Sequence, residues 1–558
     1  MPQRTDDERI ALAEAWIAQD PDPETREELT ALIAAVRSGK DGAATDLASR
    51  FDDRLAFGTA GLRGEIAAGP NRMNRVLVSQ GAAGLAAHLL EGADGDGAPS
   101  VVVGCDGRRN SEVFARDVAE VMSGAGVRAV LLPRLLPTPV LAFAVRHLGT
   151  SAGVMITASH NPPNDNGMKV YLGGPDAGSQ IVAPADAEIA AQIARVAETA
   201  SVADLPRGEV ETADESVVDA YVDATAAVAE PPAAQPRVVY TAMHGVGWET
   251  LRRVLERAGF DLPQLVPAQI EPDGRFPTVA FPNPEEPGAM DLSFEAARAA
   301  GADLVIANDP DADRLAVAIP DAAATDGYRR LTGNEVGLLL GWQVAERASS
   351  GTLACSIVSS PGLEAVARAH GLDFRATLTG FKWISRAPGL VFGYEEALGY
   401  LVNPSTVRDK DGISAAVAFL SLAARLAAEG RTIADRLDEF VERFGAHESG
   451  QVSIRVTDLS RISDVMARLR AEPPAEIGGI AVTRIDDFAQ GVDGHPPADV
   501  LRIVLDGGAR VMVRPSGTEP KLKAYLDATS AEGGVAERRA AASDAVARLE
   551  AGMRELVA

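Results

Sequence analysis

A serine occupies an unusual setting in the segment TASHNPPNDNGMKV, residues 157–170. Ser159 follows an apolar run, and the Pro, Asn and Gly content of the segment argues against either a helix or a strand. The GxSxG pattern of a hydrolase nucleophile is absent. His160 is adjacent to Ser159 in sequence, which is poor geometry for a base that would act on that serine.

An alternative for Ser159 is that its hydroxyl carries a phosphoryl group. Such a group adds about −1.5 to −2 charge and three acceptor oxygens, so it needs a cation and Arg or Lys partners. Lys169 is close in sequence, and Arg63, in the Gly-rich stretch FGTAGLRGE, could be close in space. The same stretch could equally be an ordinary Gly-rich turn.

The motif DPDADR, residues 309–314, places carboxylates at alternate positions directly after the apolar strand LVIAN. Alternate side chains of a turning loop can converge, and Mg²⁺ is commonly held by a few carboxylates plus phosphate oxygens. An EF-hand is excluded because the sixth position is Arg314 and the twelfth is Pro320. A solvated acidic turn is the remaining alternative.

The segment RPSGTEPKLK, residues 514–523, concentrates groups that bind phosphate. A glycine, hydroxyl groups and cationic side chains occur within ten residues, and arginine can hold a phosphate with two parallel hydrogen bonds. Neither a Walker A loop nor a GxGxxG fingerprint is present. The alternative is the polar end of a hairpin.

Three more loops carry polar side chains. GFKW at 380–383 and YEEALG at 394–399 follow predicted strands, and RDKDG at 408–412 mixes Arg408 and Lys410 with two Asp residues. Adjacent carboxylates such as Glu395 and Glu396 could accept hydrogen bonds from sugar hydroxyls. The loops YEEALG and RDKDG could also be solvated surface turns.

Apolar strands alternate with amphipathic helices along most of the chain, which predicts α/β layers with largely buried sheets. Because open α/β sheets bind ligands beyond the carboxyl ends of their strands, the loops after the strands are where chemistry is expected. We predict three consecutive α/β domains with mixed sheets and a smaller C-terminal α+β domain. The predicted divisions are a helical extension at 1–50, domain 1 at 51–207, domain 2 at 208–325, domain 3 at 326–443 and domain 4 at 444–558.

The composition of the chain limits the classes of partner that the protein can bind. The net charge of −26 over 558 residues repels nucleic acid and anionic membranes. The charged start MPQRTDDERI has no apolar signal-peptide region, and the apolar stretch 414–430 is too short and too polar to span a bilayer. Cys105 and Cys355 lie in separate apolar runs, which favours buried thiols. We therefore expect a cytoplasmic protein that binds neither nucleic acid nor a membrane.

The motifs TASHNP, DPDADR, GYEEALG and RPSGTEPK, in this order and preceded by GTAGLRG, resemble those of the α-D-phosphohexomutase family. The resemblance covers nearly the whole chain after the first fifty residues. GYEEALGY, GFKWI and DKDG are further similar to the branch that holds phosphoglucomutases and phosphopentomutases. The resemblance implies four domains around one central cleft.

The resemblance also implies a role for individual residues. Ser159 would be the phosphoserine and would share Mg²⁺ with Asp309, Asp311 and Asp313. The implied catalytic set is Ser159, Arg63, His160, Lys169 and Lys410. The implied substrate-binding set is Arg314, Gly380, Lys382, Glu395, Ala397, Arg514, Ser516, Gly517, Thr518 and Lys521.

Two departures from the family pattern stand out. Many relatives have Ser where this chain has Ala397, which removes a hydroxyl contact. The sequence therefore leaves open which hexose is preferred and whether the substrate is a hexose or a pentose. Pro310 stands where many relatives have Gly, and this leaves the three carboxylates intact.

The implied activity is a mutase that interconverts α-D-glucose 1-phosphate and glucose 6-phosphate, with Mg²⁺ as cofactor and glucose 1,6-bisphosphate as activator and intermediate. Phosphopentomutase or phosphomannomutase activity is the main alternative. A non-catalytic sugar-phosphate-binding protein and a Mg²⁺-dependent phosphatase are the rivals from other classes. A phosphosugar is the expected partner, and the expected assembly is a monomer or a homodimer.

Overall fold

The computed structural model describes residues 4–58, 61–93, 97–456, 460–515 and 521–557. The helices are α1 Asp6–Gln19, α2 Pro23–Arg37, α3 Ala43–Phe51, α4 Arg75–Glu91, α5 Ser111–Gly124, α6 Thr138–His147, α7 Ala185–Thr199, α8 Ser216–Ala226, α9 Gly247–Ala258, α10 Asp291–Ala300, α11 Gly333–Ala345, α12 Gly362–His370, α13 Phe381–Ile384, α14 Gly412–Ala428, α15 Ile433–Phe444, α16 Ser460–Ala471 and α17 Val535–Val557.

The strands are β1 Leu62–Glu65, β2 Ser100–Cys105, β3 Arg128–Leu131, β4 Ala152–Ile156, β5 Asp165–Leu172, β6 Ser179–Gln180, β7 Glu211–Thr212, β8 Val238–Thr241, β9 Gln264–Leu265, β10 Leu304–Asn308, β11 Leu315–Pro320, β12 Tyr328–Arg330, β13 Thr352–Ser356, β14 Asp373–Thr377, β15 Leu390–Glu395, β16 Gly399–Leu401, β17 Ala446–Arg455, β18 Glu476–Ile477, β19 Ile480–Asp487, β20 Leu501–Leu505, β21 Arg510–Pro515 and β22 Lys521–Ser530.

The chain divides into two compact units. Unit 1 contains Met1–Arg330 and Gly399–Ala424, and unit 2 contains Leu331–Leu398 and Arg425–Ala558. The predicted fold class is confirmed, because α/β layers with mixed sheets precede an antiparallel sheet that packs with helices.

Helices α1, α2 and α3 open unit 1. Thr5 caps α1 reciprocally with Glu8, and Asp22 caps α2 just ahead of Pro23, as expected of helix N-termini. Their apolar faces share one buried cluster with Ala68 and Val76. The N-terminal helices are therefore packed onto the α/β core of unit 1.

The first sheet of unit 1 has the strand order β1-β5-β4-β2-β3-β7, with β6 beside β5. The strands β4, β2, β3 and β7 run parallel, whereas β5 pairs antiparallel with both β4 and β1. The expectation that 157–170 contains no strand is wrong from Asp165 onward. Pairing on both sides overrides the weak local propensity for a strand, and Gly167 allows close approach because a Cβ there would lie 2.7 Å from the carbonyl oxygen of Leu62.

The second sheet of unit 1 has the order β12-β11-β10-β8-β9. The strands β10, β8 and β9 are parallel, and β11 returns antiparallel to β10 with Asn308 opposite Leu315. The six residues between them, 309–314, form the turn of this hairpin. The acidic motif is thus anchored by two buried strands.

Unit 2 contains the parallel strands β14-β13-β15 and the antiparallel sheet β17-β22-β21-β20-β19-β18. A Gly-Gly turn joins β20 to β21, and both Gly507 and Gly508 have a positive φ. A buried cluster that includes Ile357, Met512 and Tyr525 joins the two layers within this unit.

Among the described residues, no single helix has the length and apolar character needed to cross a membrane, and only α14 and α15, taken together as a bent pair, meet that criterion.

Candidate active site

Ser159 lies three residues after β4, in a tight and buried turn. Its φ of +51° is in the left-handed region, which costs a residue with a side chain roughly 1–2 kcal/mol. Its amide donates to Thr157 Oγ1 at 2.8 Å, and the residue is only 2% exposed. The turn therefore fixes the direction of the Ser159 side chain.

The three carboxylates of the DPDADR motif converge, as their alternate spacing predicts. One oxygen from each of Asp309, Asp311 and Asp313 lies within 4.8 Å of the others, and all three side chains are buried. Ala312 has a φ of +52°, and its amide closes the turn on the carbonyl oxygen of Asp309 at 2.9 Å. The turn presents three hard oxygen donors to one point.

The serine and the carboxylate cluster meet directly. Ser159 Oγ donates to Asp309 Oδ2 at 2.8 Å. His160 Nδ1 lies 3.3 Å from the same Oγ, so the left-handed turn places the imidazole beside the hydroxyl, although adjacency in sequence predicts poor geometry for a base that would act on that serine. Burial, reinforced by Arg314 and Arg63, lowers the pKa of His160 well below its usual value.

Lys169 is the principal counter-ion of the carboxylates. Its ammonium lies 2.7 Å from both Asp311 Oδ2 and Asp313 Oδ2. Burial opposes the charged form of the lysine, but these two carboxylates raise its pKa above the usual value. For Asp313, burial favours the neutral form, but Lys169, Lys410 and Arg314 hold its pKa below the usual value.

Lys410 belongs to the same cluster, although it lies almost one hundred residues away from Asp313 in the chain. Its ammonium is 3.3 Å from Asp313 Oδ2. The adjacent Asp409 is buried and accepts hydrogen bonds from Tyr171 at 2.9 Å and from Gln180 at 3.0 Å. The RDKDG loop is therefore held against β5 and β6, and it is not a loose surface turn.

Arg63 and Arg314 complete the positive side of the cluster. Arg63 lies opposite Gly167 in the register of β1 and β5, on the same face of the sheet as Lys169, and it donates to Asn161 Oδ1 at 3.3 Å. Arg314 Nε lies 3.9 Å from Asp309 Oδ2. The structure thus brings together every predicted site residue of unit 1.

The sequence interpretation missed Thr138, which lies between two prolines. Its hydroxyl donates to Asp311 Oδ2 at 2.6 Å and its amide to the Asp311 carbonyl at 2.9 Å. Both bonds join residues that are 173 positions apart, and no local pattern signals such a contact. The N-terminus of α6 is thereby fixed against the acidic turn.

The predicted sugar loop lies in unit 2, at the end of β15. Glu395 is 9% exposed, and the neighbouring Glu396 accepts a hydrogen bond from Ser359 Oγ at 2.9 Å. Gly333, the first residue of α11, packs so closely that a Cβ there would collide with the carbonyl of Glu396. Gly380 has a φ of +113° just before α13, which carries Lys382. Ala397 follows in the same loop.

The predicted phosphate loop also lies in unit 2, between β21 and β22. Arg514 lies opposite Lys523 in the strand register, and Lys521 begins β22. Ser516, Gly517 and Thr518 lie outside the described residues. Burial raises the pKa of Tyr525, which neighbouring Glu396 raises further, whereas a hydrogen bond from Arg514 lowers it. Tyr525 thus lies near both Arg514 of β21 and Glu396 of the sugar loop.

Four domain families match the chain in consecutive order. They are the phosphoglucomutase/phosphomannomutase alpha/beta/alpha domains I, II and III, at residues 54–200, 219–322 and 332–444, and the C-terminal domain of the same enzymes, at residues 452–544. Together they span most of the chain.

The chain belongs to the phosphoglucomutase/phosphomannomutase family.

Curated relatives of this family member carry different names. A "Probable phosphomannomutase" of Haemophilus influenzae is 55% identical over 82% of this chain and 93% of its own length. A phosphoglucomutase of Staphylococcus aureus is 34% identical over 85% of this chain and 90% of its own, and a "Probable phosphoribomutase" of Schizosaccharomyces pombe is 35% identical over 92% and 93%. All three names denote phosphosugar mutases, so the chain is an intramolecular phosphotransferase.

The solved structure of a phosphoglucomutase/phosphomannomutase family protein from Burkholderia thailandensis has the same fold, with a TM-score of 0.69. It is 21% identical and covers 90% of this chain and 97% of its own.

The carboxylate cluster of this phosphohexomutase fits a divalent cation. Asp311 Oδ1 and Asp313 Oδ1 are buried and have no hydrogen-bond partner among the described residues, and a buried acceptor without a partner costs stability. Hard oxygen donors are the ligands that Mg²⁺ prefers. The two orphaned oxygens are therefore suited to a metal ion.

Proposed function

We propose that this phosphohexomutase interconverts α-D-glucose 1-phosphate and glucose 6-phosphate through a phosphoserine at Ser159, with glucose 1,6-bisphosphate as the intermediate. The observation that carries the proposal is the 2.8 Å contact between Ser159 Oγ and Asp309 Oδ2, at the edge of a buried group of three carboxylates. A nucleophile placed beside a candidate metal site is what covalent phosphoryl transfer requires.

Asp309, Asp311 and Asp313 would hold Mg²⁺ together with an oxygen of the phosphorylated Ser159. When bound, the ion supplies positive charge that stabilises the transferring phosphoryl group. Lys169 and Lys410, which contact Asp313 in the structure, would add fixed positive charge on the same side. Arg63 and Arg314 would flank the group.

In the first transfer, a sugar hydroxyl oxygen forms a bond to phosphorus while the bond from phosphorus to Ser159 Oγ breaks. The sugar hydroxyl loses a proton, and Ser159 Oγ gains one. His160 Nδ1, at 3.3 Å from Oγ, and Lys169, in the same buried cluster, are placed to pass that proton. Burial lowers the pKa of His160 well below its usual value, which favours the neutral imidazole.

In the second transfer, the bisphosphate has turned around, and its other phosphate returns to Ser159. Only one serine is needed because the sugar reorients between the transfers. In unit 2, Gly380, Lys382, Glu395 and Ala397 would contact the sugar. The distal phosphate would be held by Arg514, Ser516, Gly517, Thr518 and Lys521. Donors at that position can grip whichever phosphate is not reacting.

The names of the relatives supply the alternative substrates. A 55% identical relative is called a "Probable phosphomannomutase" and a 35% identical one a "Probable phosphoribomutase". Mannose differs from glucose at a single hydroxyl, and a contact to one hydroxyl is worth about 0.5–1.5 kcal/mol. Ala397 offers no hydroxyl to the sugar, so discrimination rests on Glu395 and its neighbours.

A substrate panel tests the proposal. The 1-phosphates of glucose, mannose, ribose and N-acetylglucosamine are compared with Mg²⁺ and the cognate bisphosphate as primer. We expect the highest kcat/KM for glucose 1-phosphate, by about tenfold over mannose 1-phosphate, since one hydroxyl contact corresponds to about that ratio. A higher kcat/KM for mannose or ribose 1-phosphate reassigns the substrate, and absence of any turnover contradicts the mutase activity.

A further inference from the structure

Arg108 lies in the segment GCDGRRN after β2, and none of the interpretations above gives it a role. Its side chain is fully buried, yet its guanidinium does not form a close ion pair: Nε lies 3.7 Å from Asp106 Oδ2, and neither of these atoms has a hydrogen-bond partner among the described residues. Burial of an arginine without a close carboxylate costs free energy, so other contacts of the guanidinium must offset this cost.

The hydrogen bonds of its two terminal nitrogens go to the loop that carries Ser159. Nη1 donates to the carbonyl oxygens of Pro162 at 2.8 Å and Asp165 at 3.1 Å. Nη2 donates to the carbonyl oxygens of Ser159 at 2.7 Å and Asn161 at 2.6 Å. The four terminal N–H groups of the guanidinium therefore each meet one carbonyl of the segment 159–165.

This arrangement explains how the loop keeps a compact form. Carbonyl oxygens that point at one place repel each other unless a positively charged donor lies between them. A lysine ammonium has three donors around a single point, whereas the planar fork of arginine can meet all four carbonyls at once. The strained φ of Ser159 is thus fixed from both sides, by Thr157 on its amide and by Arg108 on its carbonyl.

A segment of the second α/β layer covers the guanidinium. The ring of Phe276 lies over Arg108, with 4.9 Å between the ring centre and the guanidinium carbon, and stacking on an aromatic face stabilises a buried cation. Gly274 approaches so closely that a Cβ there would lie 2.7 Å from the amide nitrogen of Arg109. The guanidinium is therefore enclosed between the Ser159 loop and Phe276.

We propose that Arg108 is a positioning residue for phosphoryl transfer: its guanidinium clamps four carbonyls of the loop and thereby aims Ser159 Oγ at the carboxylate cluster. The inference rests on the proposed function, in which Ser159 accepts the phosphoryl group. Arg108 itself touches neither substrate nor the reacting atoms, so its loss should slow the transfer and leave sugar-phosphate binding intact.

The test measures how fast dephosphorylated protein takes up a phosphoryl group from glucose 1,6-bisphosphate with Mg²⁺, followed by intact-protein mass. Arg108→Lys keeps the charge and removes the fork. We expect phosphorylation and kcat to fall about 100-fold, the loss that a displacement of about 1 Å causes, with KM changed by less than about twofold. Added guanidinium should partly restore the rate of Arg108→Ala.

Arg75→Lys is the matched control. Arg75 also holds a buried partner with two N–H groups, Asp117 at 2.7 and 2.8 Å, but it does not contact the Ser159 loop. We expect this variant to lose thermal stability and to keep the rate of phosphorylation within about twofold, because its fork positions no reacting group.

The outcomes separate the two hypotheses. If the unchanged protein takes up no phosphoryl group, the proposed function fails. If the unchanged protein takes it up and Arg108→Lys does so at the same rate, or if Arg108→Lys raises KM alone, the role of Arg108 is overturned. Should Arg108→Lys fail to fold, Phe276→Leu loosens the clamp from outside; a several-fold slower phosphorylation supports the inference, and an unchanged rate overturns it.

Discussion

At the scale of single residues, the site is defined by charges that neutralise each other in a buried volume. Lys169 lies 2.7 Å from both Asp311 and Asp313, and Lys410 lies 3.3 Å from Asp313. Burial raises the pKa of Asp309 well above its usual value, and the charges of its two acidic neighbours add to this effect. Arg314 and Lys169 oppose this rise in the pKa of Asp309, and a divalent cation would oppose it further.

Removal of the metal ion is the prediction that belongs to this scale. Chelation should abolish turnover, and Mg²⁺ should restore it. In Asp311→Asn, the Mg²⁺ concentration for half-maximal activity should rise at least roughly tenfold, because one charged oxygen ligand is lost. Activity titrations with Mg²⁺ measure this change.

Asp303→Asn is the control for that titration. Asp303 precedes β10, pairs with Arg237 on the surface and lies away from the cluster. Its variant should keep the ordinary Mg²⁺ requirement. An equal Mg²⁺ requirement in Asp311→Asn would show that the three carboxylates do not hold the ion.

At the scale of elements, each candidate residue of unit 1 lies on a strand, shortly after one or just before a helix. The hairpin β10–β11 turns through the acidic motif, β4 leads to Ser159, and β5 carries Lys169 next to Met155 of β4. Alternation along β5 and the register with β1 put Arg63 and Lys169 on one face of the sheet. The reactive side chains therefore share a rigid support.

Sequence patterns predicted many of these elements correctly, but they did not predict the strand β5. The apolar strands before Ser159 and Asp309 were predictable because continuous apolar runs are typical of buried strands. β5 was not, because its Asn and Gly residues disfavour a strand locally and only pairing with β4 and β1 forms it. The contacts of Thr138 with Asp311 and of Arg108 with the Ser159 loop link distant positions, which local periodicity does not reveal.

A prediction at the element scale concerns the start of α11 in unit 2. Gly333→Ala would place a Cβ about where the carbonyl oxygen of Glu396 lies, and such overpacking costs about 1–3 kcal/mol. We expect a lower Tm and, because the Glu395 loop must shift, a KM for the sugar phosphate raised by about tenfold. Thermal unfolding and steady-state kinetics measure the two effects.

Gly534→Ala is suited as the control for this substitution. Among the described residues, a Cβ at Gly534 would meet only Glu537 Oε2, at 3.9 Å, so Tm and KM should stay unchanged. If Gly333→Ala changed neither quantity, the packing of α11 against the sugar loop would have no influence on binding.

At the scale of the whole molecule, the acidic composition makes a local cluster of cationic side chains necessary for binding an anionic substrate. The net charge of −26 makes the protein as a whole repel anions, so an anionic substrate must be bound by cations concentrated locally. Lys169, Lys410, Arg63 and Arg314 form that concentration in unit 1, and Arg514 and Lys521 lie at the ends of β21 and β22 in unit 2. The family was predictable because its motifs can be read directly from the sequence in their order. The assignment of Gly399–Ala424 to unit 1 was not, because it depends on tertiary contacts alone.

The most direct test of the account asks whether Ser159 carries the transferred phosphoryl group. Dephosphorylated protein is incubated with glucose 1,6-bisphosphate and Mg²⁺, and intact-protein mass with peptide mapping locates any added phosphoryl group; Ser159→Ala is treated in parallel. The account predicts one phosphoryl group, mapped to Ser159, on the unchanged protein, none on Ser159→Ala, and loss of nearly all turnover in that variant. A fully active Ser159→Ala enzyme, or a phosphoryl group mapped to another residue, would contradict it.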